Sequence, residues 1–393
     1  MLEGVRTTRR QVLLGLALGG AAALVAACTS SPAPPAATGG PAAATGATPA
    51  TTGGAPGTNW DQVLAAGKSE GKVVVSGPPD PGASTAIPDA FKKFSGIDLE
   101  YLAGNSSQLA SRIQSERAAG QYTIDVSLAG ADTVYGTFLA SGWLQPLKPN
   151  LMLPDVVDGK LYRTGEPWFR DPQKQMVMQI FNSASVSLLT LNTEMVSPDE
   201  FTDSTSLLDP RWQGKMCTYD PGVNGAGIAT ASAVYVTKGK DYCTQVYKGQ
   251  NVVLSRDYQQ VADWVAHGNY PIGIGVTHQY LADYYKAGIS LKEMNLPDIP
   301  ITVAGGFGLV NLWNNAPHPN AAIVFANWIA SKAGISVYGP LDNGVPVRND
   351  VDPTWYTPDQ VPQSGGKYFD TYDPDYVLTK RQEARDFFAS ILH

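Results

Sequence analysis

The feature that most constrains this chain is an alternation of short β-branched runs with helix-like stretches that stops once and then restarts. Lys72-Val73-Val74-Val75-Ser76 is a short apolar run ended by the breaker cluster Gly77-Pro78-Pro79-Asp80-Pro81-Gly82, the pattern of a buried strand and a loop. Pro88 to Phe94 reads as a short helix with proline in its first turn, where the missing N–H costs nothing. Ile97 to Leu102 is a second strand. Asn105-Ser106-Ser107-Gln108 then opens a helix through about Ala119: Asn or Ser can cap it and Gln108 can reach back. Ile124 to Leu128 is a third strand, followed by the small-residue loop Ala129-Gly130-Ala131-Asp132. Such alternation implies a mainly parallel sheet covered on both faces.

A long β-prone stretch, Gln175 to Leu191, interrupts the pattern. It restarts with Lys215 to Tyr219, a helix from about Gly227, Val252 to Leu254, a helix around Tyr258 to His267, and Pro271 to Val276. Two α/β blocks joined by extended chain predict two lobes with a hinge. The roughly 335 residues available suit that reading, since single cores stop growing near ~250–300 residues. In open α/β sheets ligands sit beyond the carboxyl ends of strands, so the expected site is the cleft between the lobes.

The N-terminus reads as an export signal. Arg6, Arg9 and Arg10 form a basic region, Val12 to Ala27 is an apolar and glycine run, and its length falls short of the ~20 residues of a spanning helix. Thr8 to Leu13 resembles a twin-arginine signal, in which cargo crosses the membrane folded. Val25-Ala26-Ala27-Cys28 resembles a lipobox, in which Cys28 is acylated; a cleaved signal with an unmodified cysteine is the alternative. Residues 29–58 hold no charge, no aromatic and no large aliphatic side chain. They cannot offset the entropy of ordering, so a disordered tether averaging roughly 30 Å end to end is expected.

Net charge excludes one class of partner. The whole chain carries −7, and loss of three arginines and Glu3 with the signal leaves −9. Nucleic acid needs clustered Lys and Arg, and none are present. Cys217 and Cys243 remain after Cys28; in an exported protein they are candidates for one structural disulfide, with two buried free thiols as the alternative.

Several segments together resemble the ferric-type solute-binding proteins of ABC importers. These are Trp60 to Leu64 with Glu70 to Val75, the run Arg112 to Gly120, Leu208 to Lys215, Trp264 to Ile272, and the block Pro317 to Ser331 containing HPNAAIVFANWIAS. The matches follow family order from about 60 to 340. The resemblance implies a two-lobed periplasmic-binding-protein fold (type II-like), mainly parallel sheets, and handover of one solute to a permease with a cytoplasmic ATPase. The expected organisation is a signal peptide at 1–27, a tether at 28–58, a first lobe at 59–185 with a return segment at 300–345, and a second lobe at 186–299 that also carries 346–393. A monomer anchored by lipid outside the cytoplasmic membrane, with no cofactor, completes the expectation.

Ferric members carry two consecutive tyrosines in a Val-Asn-x-Tyr-Tyr pattern after a strand like Ile272 to Val276. Here the sequence reads Val276-Thr277-His278-Gln279-Tyr280-Leu281, so one tyrosine is close to register and Tyr284 and Tyr285 lie about one helical turn further on. A shift of ~5–6 Å would miss a site in that register, and phenols ionise only near ~10 without a strong Lewis acid. Tyr280, Tyr284 and Tyr285 would be metal ligands only if ferric iron binds. His278, Gln279 and Tyr280 suit hydrogen bonding to a polar organic solute, although His278 could equally be structural.

Two helix starts offer seats for an anionic group: Ser106 and Ser107 after Asn105, and Asn224 and Gly225 before Gly227. Ser76, Gly130 and Asp132 follow first-lobe strands and could reach the cleft. The expected solute is a small polar compound bearing phosphonate, phosphate or carboxylate. No enzyme is expected: the HExxH and P-loop motifs are absent. An exported hydrolase with a convergent triad, or a solute-sensing receptor, are the rival readings.

Overall fold

The computed structural model describes residues 59–185, 187–352 and 354–393, apart from the side chains of Ser106 and Ser107. The expected signal, Cys28 and the tether to residue 58 lie outside the described residues.

The first lobe is built on the parallel strands Asp98–Ala103, Lys72–Gly77 and Val126–Ala129. The return strand Leu309–Trp313 pairs antiparallel with Val126–Ala129, and Leu144–Gln145 and Val177–Gln179 pair antiparallel with the return strand. Side chains alternate across a strand, so Val73, Val75, Val126 and Leu128 bury one face against Ile87, Phe91 and Phe325. Leu109, Ile113, Val134 and Phe138 cover the other face. Helix Ser106–Ala118 carries the expected capping box, with Asn105 accepting from Gln108 N at 3.0 Å and Gln108 accepting from Asn105 N at 3.3 Å. Helix Ala83–Ser95 begins five residues earlier than Pro88 suggested. Asp80 Oδ1 accepts from Ala83 N at 2.7 Å, a local cap that starts the helix ahead of the proline.

The second lobe holds five strands in the order Leu291–Met294, Leu189–Asn192, Ile272–Ile274, Met216–Tyr219, Val253–Ser255. The last three run parallel, and Leu189–Asn192 is antiparallel to both its neighbours. The sheets are therefore mixed rather than mainly parallel. The reason is where the chain enters. Leu309–Trp313 starts at the cleft end, where Val126–Ala129 finishes, and must run the other way.

The stretch Gln175 to Leu191 supplies Val177–Gln179 to the first sheet, Ser183–Ala184 to a small hinge sheet and Leu189–Asn192 to the second lobe. In the hinge sheet Thr302–Ala304 lies between Ser183–Ala184, antiparallel, and Phe369–Asp370, parallel. The chain passes between the lobes at Ser183–Ala184 and Thr302–Ala304, and a third time after the hinge sheet, between Val377 and Ala384.

The final segment divides, contrary to the expectation that all of 346–393 packs on the second lobe. Val347 and Val351 sit in the first-lobe core, and buried Arg348 donates to the Asp155 carbonyl at 2.6 Å. Only beyond the hinge does the chain reach the second lobe, where Ala384 and Phe388 of helix Gln382–Leu392 join its core.

Cys217 and Cys243 are two separate buried thiols, not a disulfide. Met216 and Cys217 are neighbours on one strand and point to opposite faces of the sheet. Met216 shares its side with Cys243 and helix Ala226–Cys243, whereas Cys217 faces Val261 and Val265 of helix Tyr258–Ala266.

Candidate functional site

A cavity of about 260 Å³ opens between the lobes at the hinge, room for roughly nine waters at ~30 Å³ each. The first lobe contributes Gly130 and Asp132, the second Gly225, Thr230 and the run Gly275 to Tyr280, and the hinge Ser183 and Thr302.

Six of the sequence-derived candidates line this space: Gly130, Asp132, Gly225, His278, Gln279 and Tyr280. Ser76 does not. It is buried inside strand Lys72–Gly77, one residue short of the strand end, with its side chain in the sheet. Asn224 is also outside the lining, and its Oδ1 accepts from Arg385 Nη1 at 2.5 Å. Ser106 and Ser107 open helix Ser106–Ala118, and among the described residues that helix contributes none to the lining.

The three tyrosines separate. The Tyr280 hydroxyl is buried, has no hydrogen-bond partner and lines the cavity. Burial pushes its phenol well above the ordinary range, so it is a neutral hydroxyl at neutral pH. Tyr284 turns away and donates to Asp263. Tyr285 donates to Glu293 Oε2 at 3.0 Å and stacks on His278 at 5.7 Å. Neither Tyr284 nor Tyr285 joins Tyr280 at the cavity, whose other tyrosines are Tyr258 and Tyr372, and among the described residues no group of three or more His, Cys, Asp or Glu is assembled for a metal.

His278 Nδ1 donates to Glu293 Oε2 at 2.6 Å, and that bond raises the imidazole pKa above its usual value against the opposing effect of burial. Glu293 Oε1 stays buried without a partner. Gly275 permits this turn: its φ of 67° is left-handed, and a Cβ there would lie 2.7 Å from Thr230 Oγ1.

Sequence reasoning missed two buried charges that line the cavity. Arg381, 1% exposed, donates through Nη1 to Asp132 Oδ2 at 3.1 Å and through Nη2 to the Thr371 carbonyl at 2.6 Å, while Nε has no partner. Asp342, 8% exposed, accepts only from Phe307 N–H, at 3.2 and 3.3 Å. Burial, reinforced by Asp80, pushes its carboxyl up to about 8. Helix Ala226–Cys243 starts at the cavity wall behind Gly225 with no side-chain cap, and the Tyr258 hydroxyl accepts from Ala226 N at 3.2 Å.

Residues 86–363 match the family described as bacterial extracellular solute-binding protein. The chain belongs to that family. It is an extracellular solute-binding protein of the ABC-transporter type, and a binding protein rather than an enzyme. Solved structures agree on the fold. Iron-bound HitA from Pseudomonas aeruginosa is 18% identical, with a TM-score of 0.62 over 82% of this chain and 99% of that one. AfuA from Actinobacillus pleuropneumoniae, with fructose-6-phosphate bound, is 15% identical, with a TM-score of 0.64 over 80% and 96%. The ferric binding protein from Campylobacter jejuni is 14% identical, with a TM-score of 0.62 over 82% and 99%. At these identities the likeness is one of fold. No curated protein matches the chain. For this solute-binding protein, the cavity at the hinge is the place where a solute would touch both lobes.

Proposed function

We propose that this solute-binding protein captures a small polar organic solute with an anionic group and delivers it to an ABC permease. The observation that carries the reading is the set of cavity groups left without partners: Tyr280 Oη, Glu293 Oε1 and Arg381 Nε. Buried polar groups are ordinarily satisfied, and three orphans around one space suit a ligand with several hydrogen-bonding atoms. The anionic end fits Arg381 Nε and the uncapped start of helix Ala226–Cys243, where backbone donors and the dipole favour negative charge. Asp132 offsets part of the Arg381 charge, which favours a singly charged anion.

A bare ferric ion suits the cavity less well. It would leave most of the space empty, and Tyr284 and Tyr285 do not join Tyr280 there. Titration of the metal-stripped protein with ferric citrate, followed in the visible, is expected to give no tyrosinate charge-transfer band. Thermal shift with alkylphosphonates, sugar phosphates and carboxylates is expected to stabilise the protein, and a strong iron band with no organic ligand would reverse the reading. We further propose that acylated Cys28 anchors a monomer at the outer face of the cytoplasmic membrane. Metabolic labelling with palmitate that disappears in Cys28→Ala tests the anchor.

A further inference from the structure

We propose that Asp342 is an ammonium subsite, so that the captured solute is a zwitterion. The inference rests on the organic-anion reading above and adds the opposite pole.

Asp342 closes helix Lys332–Asp342, whose C-cap Asn343 is left-handed at φ 48°. Helix C-termini carry partial negative charge and favour cations, so a carboxylate there is out of place without one. Among the described residues no Lys, Arg or His reaches it, and its one donor is the Phe307 backbone N–H. The cationic side chains of the cavity wall are engaged elsewhere, Arg381 with Asp132 and His278 with Glu293. The charged side chain that acts on Asp342 is Asp80, and among the described residues no cation pairs with it.

The wall around it suits a cation. Phe307, Tyr280 and Tyr372 line the same cavity, and aromatic faces attract ammonium groups. Gly306, at φ 57°, lets the carboxylate approach the backbone, because a Cβ there would collide with Asp342 Oδ2. Arg381 and Asp342 line the same cavity, so a molecule held there can meet both poles. Glu293 is the weaker alternative, since Oε2 already serves His278 and Tyr285.

Proton balance follows. An unpaired buried carboxyl holds its proton. When an ammonium docks with its three protons, the Asp342 carboxyl releases its own to solvent, leaving an ion pair and one free proton.

The test is calorimetry of the purified full chain near pH 7 with 3-aminopropylphosphonate, propylphosphonate and propylamine, repeated with chains of two to five carbons. The zwitterion is expected to bind about ten- to a hundredfold more tightly than the phosphonate alone, the gain of a hydrogen bond to a charged group. Buffers of different ionisation enthalpy should report close to one proton released. Asp342→Asn should remove that gain, so that the zwitterion and propylphosphonate bind the variant equally; the comparison within the wild-type protein needs no variant to fold. Equal binding of propylphosphonate and its amine overturns the subsite and leaves the organic-anion reading intact. Binding of propylamine alone, lost in Asp342→Asn, supports the subsite and removes the anionic reading. Binding of no probe overturns both.

Discussion

Arg381 holds Asp132 at 3.1 Å, and that contact joins the chain just before helix Gln382–Leu392 to the loop after strand Val126–Ala129. Both side chains are largely withdrawn from water, at 2% and 14% exposure. Removing one member of a buried pair leaves the other charge uncompensated, at a cost of about 3 kcal/mol or more. Arg381→Met should therefore lower stability by that amount in urea denaturation. Arg381→Met with Asp132→Asn should recover part of the loss, and a purely additive double mutant would show that the pair is not coupled.

Asp342 makes stability depend on pH in the direction opposite to an ordinary acidic pair. Its carboxyl is pushed up to about 8 by burial, whereas an unfolded aspartate sits near ~3.9. Between those values the folded state binds the extra proton, so this group's contribution to stability falls as pH rises. Asp342→Asn should gain stability relative to wild type on going from pH 5 to pH 8, as read by denaturation at each pH. An unchanged difference would show that Asp342 ionises normally.

The His278–Glu293 bond makes stability fall with rising pH as well. The folded imidazole pKa lies above its usual value because of Glu293. The stability it adds is fully present below about 6.5 and is lost as pH rises through the folded value. Glu293→Gln should move the His278 ring titration, followed by NMR, to lower pH. A titration that stays put would assign the shift to other neighbours.

The two thiols should stay free under oxidising conditions. Burial pushes Cys217 and Cys243 each up to about 12, so neither carries thiolate at neutral pH. Ellman's reagent should modify them only after unfolding, and a reducing agent should leave the melting temperature unchanged. A melting temperature that drops on reduction would point to a bridge.

Much of the scaffold was legible because its signals are local. The β-branched runs, the Asn105–Gln108 box and the restart after Leu191 each depend on residues close in sequence. Gly130 and Gly225 could be placed near the cleft for the same reason, since a loop at a strand's carboxyl end must lie there. Ser76 misled because the strand continues through Gly77, and one residue of register exchanges the two faces. The helix start at Ala83 depended on an aspartate two residues upstream of its glycine cap, not on the proline inside it. Asp342 and Arg381 carry no local mark at all. Each ends or follows an unremarkable helical segment, and their importance comes from being folded against Phe307 and Asp132, 35 and 249 residues away.

Two strands cross between the lobes side by side, Ser183–Ala184 outward and Thr302–Ala304 back, with Phe369–Asp370 bonded along the edge as a third. A single connecting strand could swivel, and two unbonded ones could shear. A narrow ribbon of three bends most easily across its flat face and resists both twisting and sliding. Motion between the lobes is thereby reduced to opening and shutting like a book on its spine, and the gape of the two covers becomes the single variable by which a membrane partner could tell a full binding protein from an empty one.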